Sequence, residues 1–132
     1  MSTLNVGTIK SISSAAPVFQ NTSGTEKGQL AKAWVNFNGT GTVAIRDSFN
    51  VSSITDSGTG IYGVNLQNAM ANANYNVCVT DAHESQVYLL MGCVRVRSQV
   101  SITTTFLQVE WLTFNQGNFS DNAECNVAIF GD

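Results

Sequence analysis

The side chains able to support chemistry are few in this chain, and the most compact group surrounds its only histidine. His83 lies in the segment Asp81-Ala82-His83-Glu84, between two carboxylates. An imidazole flanked by carboxylates is able to bind a metal, but these side chains point in different directions within one turn. A second histidine for a multi-histidine zinc site is missing. The pattern therefore predicts a solvated polar loop, without a metal or any other cofactor.

Nucleophilic and hydrolytic centres are not favoured either. A cysteine nucleophile would need His83 beside a thiol, and the residues between Cys78 and His83 are not diagnostic of such a pair. The G-x-S-x-G motif of a serine nucleophile does not occur. Five carboxylates are candidates for the acid pair of a glycoside hydrolase, namely Asp47, Asp56, Asp81, Glu110 and Glu124. We expect turns at Asp47 and Asp56, where carboxylates cap or face solvent, and we predict that the protein is not an enzyme.

Cysteine usage indicates the redox state. Cys78, Cys93 and Cys125 are an odd number and show no C-x-x-C spacing. This pattern argues against a disulfide framework and against a structural zinc site. We expect buried free thiols in a protein made in a reducing cytoplasm.

Composition and charge limit the possible partners. Hydrophobic residues make up 43% of the 132 residues, but charged residues only 11%, against roughly 25% in an ordinary soluble domain. Because uncharged polar residues do little to keep copies apart, we predict that much of the surface is buried in an assembly; a small domain with a lightly charged surface is the alternative. The net charge of −3 without a basic stripe excludes nucleic acid as a partner. No apolar run long enough for membrane insertion and no secretory signal are visible, so we expect the chain to begin where it is translated.

Hydrophobic periodicity predicts an all-β protein. The segment from Ala33 to Asp56 predicts a strand, an Asn38-Gly39 turn, a second strand, a polar break and a third strand that includes Phe49 and Val51. Turns are predicted at 57–60 and 81–85, and loops at 67–74, with one short helical turn, and at 115–122. Further strands are predicted over 61–66, 75–80, 86–97, 100–106, 108–114 and 123–130. About eight short antiparallel strands indicate a β-sandwich or jelly-roll-like fold.

Residues 1–28 differ from the β domain, which we place at 29–132. We predict an extended arm with short strands near 8–12 and 17–19. Its apolar residues are too few for a core and would dock on the main domain, a neighbouring subunit or another protein, with a frayed tail as the alternative. The arm residues that would provide this anchoring are Leu4, Val6, Ile9, Ile12, Val18 and Phe19.

Aromatic residues raise the question of a sugar-binding platform. Their strand spacing favours core or subunit contacts. The residues concerned are Trp34, Tyr62, Tyr75, Tyr88, Trp111 and the phenylalanines. Phe119, in the 115–122 loop, is the best candidate for an exposed binding aromatic.

The run AKAWVNFNGTGTVAIRDSFNVSSITDSGTG resembles a module of tailed-bacteriophage virion proteins, especially tail-fibre-like proteins of marine and cyanobacterial phages. The resemblance is strongest from Gln29 to about Val79, and the arm segments TLNVGTIKS and APVFQNTSGTEKGQ are also similar. One position departs from the family: Ala71 follows Met70 where a proline is common. The family has no catalytic residues to transfer.

The resemblance implies a homotrimeric, tail-fibre-like structural protein of the virion, assembled in the host cytoplasm. Its partners would be its own copies, other virion proteins and a host-surface glycan, with the arm as anchor. The outward-facing residues would be Asp81, His83, Glu84, Asn118 and Phe119. A capsid decoration or head-fibre protein is the alternative, favoured by the short chain. A monomeric glycan-binding or glycan-hydrolysing domain is the third hypothesis.

Overall fold

The computed structural model describes residues 5–10, 17, 19–82, 102–112 and 118–131. The chain divides into two compact units, Met1–Leu30 and Ala31–Asp132. All regular structure in the described ranges is β-strand, and the strands pair antiparallel. The strands are β1 (Phe19–Gln20), β2 (Glu26–Gly28), β3 (Ala33–Asn38), β4 (Ala44–Phe49), β5 (Val51–Gly58), β6 (Ile61–Leu66), β7 (Asn76–Ala82), β8 (Phe106–Glu110) and β9 (Glu124–Phe130).

The smaller unit contains a short hairpin of β1 and β2. The connector predicted from Asn21 onward is a turn closed by one side chain, because Asn21 Oδ1 accepts hydrogen bonds from the amides of Ser23 (3.2 Å) and Thr25 (2.8 Å). Residues 8–10, where a strand was predicted to begin, have no regular structure. Aspartate and asparagine side chains favour such local turns because they offer an acceptor to amides two to four residues ahead.

The larger unit consists of two sheets packed together. One has four strands in the order β4-β3-β9-β7, and the other has three in the order β5-β6-β8. Alternate residues of β3 and β9 point inward, so Val35, Phe37 and Val127 are buried while Asn36 and Asn126 are only half-buried. This period of two is what a sheet with one buried face requires. The expectation of an all-β, antiparallel, sandwich-like domain is confirmed.

The observed strands agree to different degrees with the strands predicted from the sequence. The strand predicted over 61–66 is β6, and the closing strand predicted over 123–130 is β9 within one residue. The helical turn predicted within 67–74 is wrong, since that segment contains only bends. The turn predicted at Asp81 is also wrong there: β7 continues through Ala82, and Asp81 is paired with Cys125. The long strand predicted over 86–97 lies outside the described residues.

Asn50 alone carries the chain from one sheet to the other. The polar residues Arg46, Asp47 and Ser48, predicted as a break, lie inside β4, and the break falls between Phe49 and Val51. Asn50 has a φ of 55°, a conformation that asparagine tolerates better than most residues.

The Asn50 side chain ties three segments at this corner. Its Nδ2 donates to the carbonyl oxygens of Lys32 (3.1 Å) and Asn68 (3.3 Å), and its Oδ1 accepts from the Asn68 amide (2.8 Å). The corner is therefore held both by backbone preference and by side-chain hydrogen bonds.

Substitution of Asn50 separates these two contributions. Asn50→Ala loses the hydrogen bonds and places a less tolerant residue at positive φ, so we expect the free energy of unfolding to fall by about 2 kcal/mol. Asn50→Gly loses the same bonds but accepts the φ, so its cost should be about 1 kcal/mol. Urea denaturation measures both, and an Asn50→Gly variant less stable than Asn50→Ala would contradict this account.

Candidate functional site

The structure describes three of the five residues expected in outward-facing loops. Asp81 lies in β7 and not in a loop. Asn118 and Phe119 are exposed, and Phe119 forms an isolated bridge with Leu112. His83 and Glu84 lie outside the described residues, as does Tyr88.

Half of the expected anchoring residues of the arm are described. Val6, Ile9 and Phe19 are exposed, with Ile9 the most exposed at 61%. Leu4, Ile12 and Val18 lie outside the described residues. These exposed apolar side chains are accessible to a partner, and their anchoring role stays a prediction.

Hydrogen bonds hold the 118–122 segment against the rest of the larger unit. Asp121 Oδ1 accepts from the Gly60 amide (2.7 Å) and from the Tyr62 hydroxyl (2.7 Å). The Ser120 amide donates to the Trp111 carbonyl (3.2 Å). Asn122 accepts from the Gly39 amide through its carbonyl (2.9 Å) and donates through Nδ2 to Asp81 Oδ2 (2.6 Å). The segment that presents Phe119 is therefore held in a defined conformation.

Two glycines, Gly39 and Gly60, allow the 118–122 segment and its neighbours to pack closely against the backbone. A Cβ on Gly39 would lie 2.6 Å from the Tyr62 hydroxyl oxygen and 2.9 Å from the Asn122 carbonyl oxygen. Gly60 has a φ of 64°, and a Cβ there would lie 2.7 Å from the Trp111 carbonyl oxygen. The sequence predicts a turn at each of these positions, and close packing is a second reason for glycine at Gly39 and Gly60.

Three buried aromatic rings lie beneath the segment. Phe37, Tyr62 and Trp111 contact one another edge to face, with ring centroids 5.2 Å, 5.8 Å and 5.5 Å apart. The Tyr62 hydroxyl lies 2.8 Å from the Gly39 carbonyl oxygen as well as near Asp121, and it donates its single hydrogen into this pair of acceptors. These rings form core and not a sugar-binding platform.

Burial controls the titration of two groups at this end of the sandwich. Burial in the core, and next the hydrogen bond with Asp121, raise the pKa of the Tyr62 phenol. Burial, followed by the negative charge of Asp81, raises the pKa of the Cys125 thiol from 9.0 to about 12. Both groups stay protonated at neutral pH, so neither serves as a base or a thiolate nucleophile there.

Among the described residues, two buried polar atoms at this end have no hydrogen-bond partner, namely Trp111 Nε1 and Asn122 Oδ1. Each carries a desolvation cost of about 1–3 kcal/mol. The surrounding aromatic contacts and hydrogen bonds must offset this cost.

The thiols and carboxylates do not assemble into a reactive centre within the described ranges. Cys125 is a buried free thiol as expected, but Cys78 is exposed, so the expectation of burial is wrong for it; Cys93 lies outside the described residues. No three His, Cys, Asp or Glu side chains in the described part of the chain are close enough to hold a metal ion. Asp47 and Asp56 lie within β4 and β5 and not in turns, because both residues pair in the sheets.

Apolar side chains form a row across the outer sheet face, by which we mean the side of the four-stranded sheet turned away from the three-stranded sheet. Cross-strand pairing places Phe49 beside Trp34, Trp34 beside Ala128, and Ala128 beside Cys78. Phe49 is 55% exposed, Cys78 is exposed, and Trp34 and Ala128 are half-buried. This row was not predicted from the sequence, although Phe49 alternates in phase with Asp47, whose charge favours the solvent side.

A second row on the same face is polar and largely uncharged. It consists of Asp47, Asn36, Asn126 and Thr80, joined by the same pairings. Asn36 Nδ2 donates to Asn126 Oδ1 at 2.6 Å. The centre of the outer sheet face therefore combines apolar groups with amides. Charged groups lie around it: Asp47 on β4, Glu124 on β9, and the Arg46 guanidinium, which donates to Asn36 Oδ1 (3.4 Å).

No long apolar helix suited to crossing a membrane occurs in the described ranges.

The chain matches no known family model, no curated protein and no solved structure.

Removal of the Tyr62 hydroxyl tests the attachment of the 118–122 segment. Because this hydroxyl bonds a carboxylate, Tyr62→Phe should lower the free energy of unfolding by about 1.5–3 kcal/mol. Tyr75→Phe is the matched control. Its hydroxyl donates to the neutral carbonyls of Thr103 and Phe106 within the part of the chain that the structure describes, so the cost should be about 1 kcal/mol. Chemical denaturation measures both, and equal costs would contradict a special role for Asp121.

Alkaline pH should destabilise the protein through Cys125. The pKa of the Cys125 thiol is higher in the folded protein than in the unfolded chain. The contribution of this group to the free energy of unfolding is therefore fully present below pH 9 and is lost as the pH rises toward 12. The loss should reach about 1.4 kcal/mol near pH 10. Urea denaturation at a series of pH values should show this fall in the wild type and a smaller one between pH 9 and 10 in Cys125→Ala; identical slopes would contradict it.

Proposed function

We propose that this chain is a structural protein of a tailed-bacteriophage virion, a tail-fibre-like domain that works as a homotrimer. The observation that carries the assembly role is the apolar row on the outer sheet face, in a chain with only 11% charged residues. Surfaces that combine exposed aromatic residues with depleted charge are typical of interface centres. The virion context is supported by the resemblance of the 29–79 segment to phage tail-fibre-like proteins.

The remaining parts have proposed roles in the same particle. The arm, with Val6, Ile9 and Phe19 exposed, would anchor the protein to other virion proteins. The 118–122 segment would present Phe119 to a host-surface glycan, and its network of hydrogen bonds supports this role because a preorganised loop loses less entropy on binding. The contribution of the chain would be structural and not catalytic.

Light scattering and electron microscopy test this proposal. The purified protein, of 14.1 kDa per chain, should have three times that mass in solution, and a gold-labelled antibody should decorate the tail of virions of the phage that encodes it. Label on the head would favour the decoration or head-fibre protein instead. A monomer that binds or hydrolyses host polysaccharide, with unlabelled virions, would contradict the proposal.

A further inference from the structure

We propose that Asn38 is a deamidation site that the 118–122 segment keeps latent, so that the reaction proceeds only when this segment is released from Gly39. Asn38-Gly39 is the one Asn-Gly pair in the sequence. Glycine after asparagine favours the reaction because no side chain hinders the approach of its backbone nitrogen. The inference concerns a covalent modification and does not depend on the proposed role in a virion.

The reaction uses only the chain and water. The Gly39 backbone nitrogen loses its proton and attacks Asn38 Cγ, so that a nitrogen–carbon bond forms and a succinimide ring closes. The side-chain nitrogen of Asn38 takes up a proton and leaves as ammonia. Water then adds to either carbonyl carbon of the ring and opens it, which leaves aspartate or isoaspartate at position 38. No oxidant or reductant takes part.

Both backbone polar groups of Gly39 are held in place. Its amide donates to the Asn122 carbonyl oxygen (2.9 Å), and its carbonyl oxygen accepts from the Tyr62 hydroxyl (2.8 Å). A Cβ on Gly39 would lie within 2.9 Å of both partner oxygens, so the glycine is packed tightly between them. An amide that donates to a carbonyl must break that bond before it gives up its proton, as in hydrogen exchange. The Gly39 nitrogen is therefore not a nucleophile while Asn122 is in place.

The side chain of Asn38 is also held by hydrogen bonds. Its Nδ2 donates to the carbonyl oxygens of Thr40 (2.6 Å) and Thr42 (3.3 Å). Its Oδ1 accepts from the Thr40 hydroxyl (2.9 Å). The amide that would be attacked is thus fixed toward residues 40–42 while the turn is closed.

Deamidation would make the opening of this turn permanent. A carboxylate at position 38 is unable to donate to the Thr40 and Thr42 carbonyl oxygens, and it would place a negative charge beside them. Isoaspartate would also add a carbon to the main chain at the end of β3, where residue 38 pairs with Ala44. Both products therefore oppose closure of the turn.

Peptide mapping measures the reaction at this one site. The purified protein is incubated in a mildly alkaline buffer below pH 9, where Cys125 stays protonated. Trypsin then releases residues 33–46 as one peptide, since Lys32 and Arg46 mark its ends, and mass spectrometry reports aspartate and isoaspartate at position 38. Asn36, in the same peptide, is the internal reference and should stay unmodified. The rate at Asn38 should be at least about tenfold lower in the folded protein than in urea.

Tyr62→Phe tests the role of the 118–122 segment. It removes the hydroxyl that bonds both Gly39 and Asp121. Because the rate follows the open population when closing is faster than the chemistry, modification of Asn38 should accelerate about tenfold or more. Asn50→Ala is the matched control: it destabilises the domain to a similar degree at the opposite end of the β3–β4 hairpin, so its rate should stay near that of the wild type. Circular dichroism verifies that both variants are folded.

The possible outcomes decide the inference. Acceleration in Tyr62→Phe with an unchanged rate in Asn50→Ala would support it. Equal acceleration in both variants would mean that global unfolding limits the reaction, and would overturn the role of the 118–122 segment. A folded wild type that reacts as fast as the protein in urea, or no product at position 38 even in urea, would overturn the latent site itself.

Discussion

The larger unit depends on the edge-to-face contact of Phe37, Tyr62 and Trp111 between its two sheets. Phe37 belongs to the four-stranded sheet, and Tyr62 belongs to the three-stranded one. Each such aromatic pair contributes about 0.5–1.5 kcal/mol beyond the area it buries. The Tyr62 hydroxyl extends this contact outward to Gly39 and Asp121, so the same residue joins the sheets and fixes the 118–122 segment. A fold with few ion pairs available in its composition thus relies on shape and on directed hydrogen bonds.

The sequence predicts those features that depend on local periodicity. In β6 and β9 the alternation of apolar and polar residues is regular, and both strands were located within one residue. The polar break was misplaced because Arg46 to Ser48 look like one, while pairing of Asp47 and Ser48 with β3 keeps the chain in a strand. The exposure of Cys78 was predictable in principle, because in the strand predicted over 75–80 the larger apolar residues Tyr75, Val77 and Val79 alternate with it.

The candidate site was harder to predict because its contacts are long-range. Asp121 bonds Tyr62 and Gly60, which lie 59 and 61 positions away, and nothing near Asp121 in the sequence signals these partners. The outer sheet face has the same difficulty, since the row from Phe49 to Cys78 arises only when β4, β3, β9 and β7 are in register. By contrast, the exposed Phe119 could be anticipated from its position in a polar loop.

These observations lead to one account of the molecule. The two sheets are joined by aromatic packing, while the outer face of the four-stranded sheet presents an apolar row. A crystal structure of the purified protein tests this account most directly. If the proposed assembly role is right, a neighbouring copy should cover the row from Phe49 to Cys78. A structure in which the row from Phe49 to Cys78 faces solvent in every copy would contradict it.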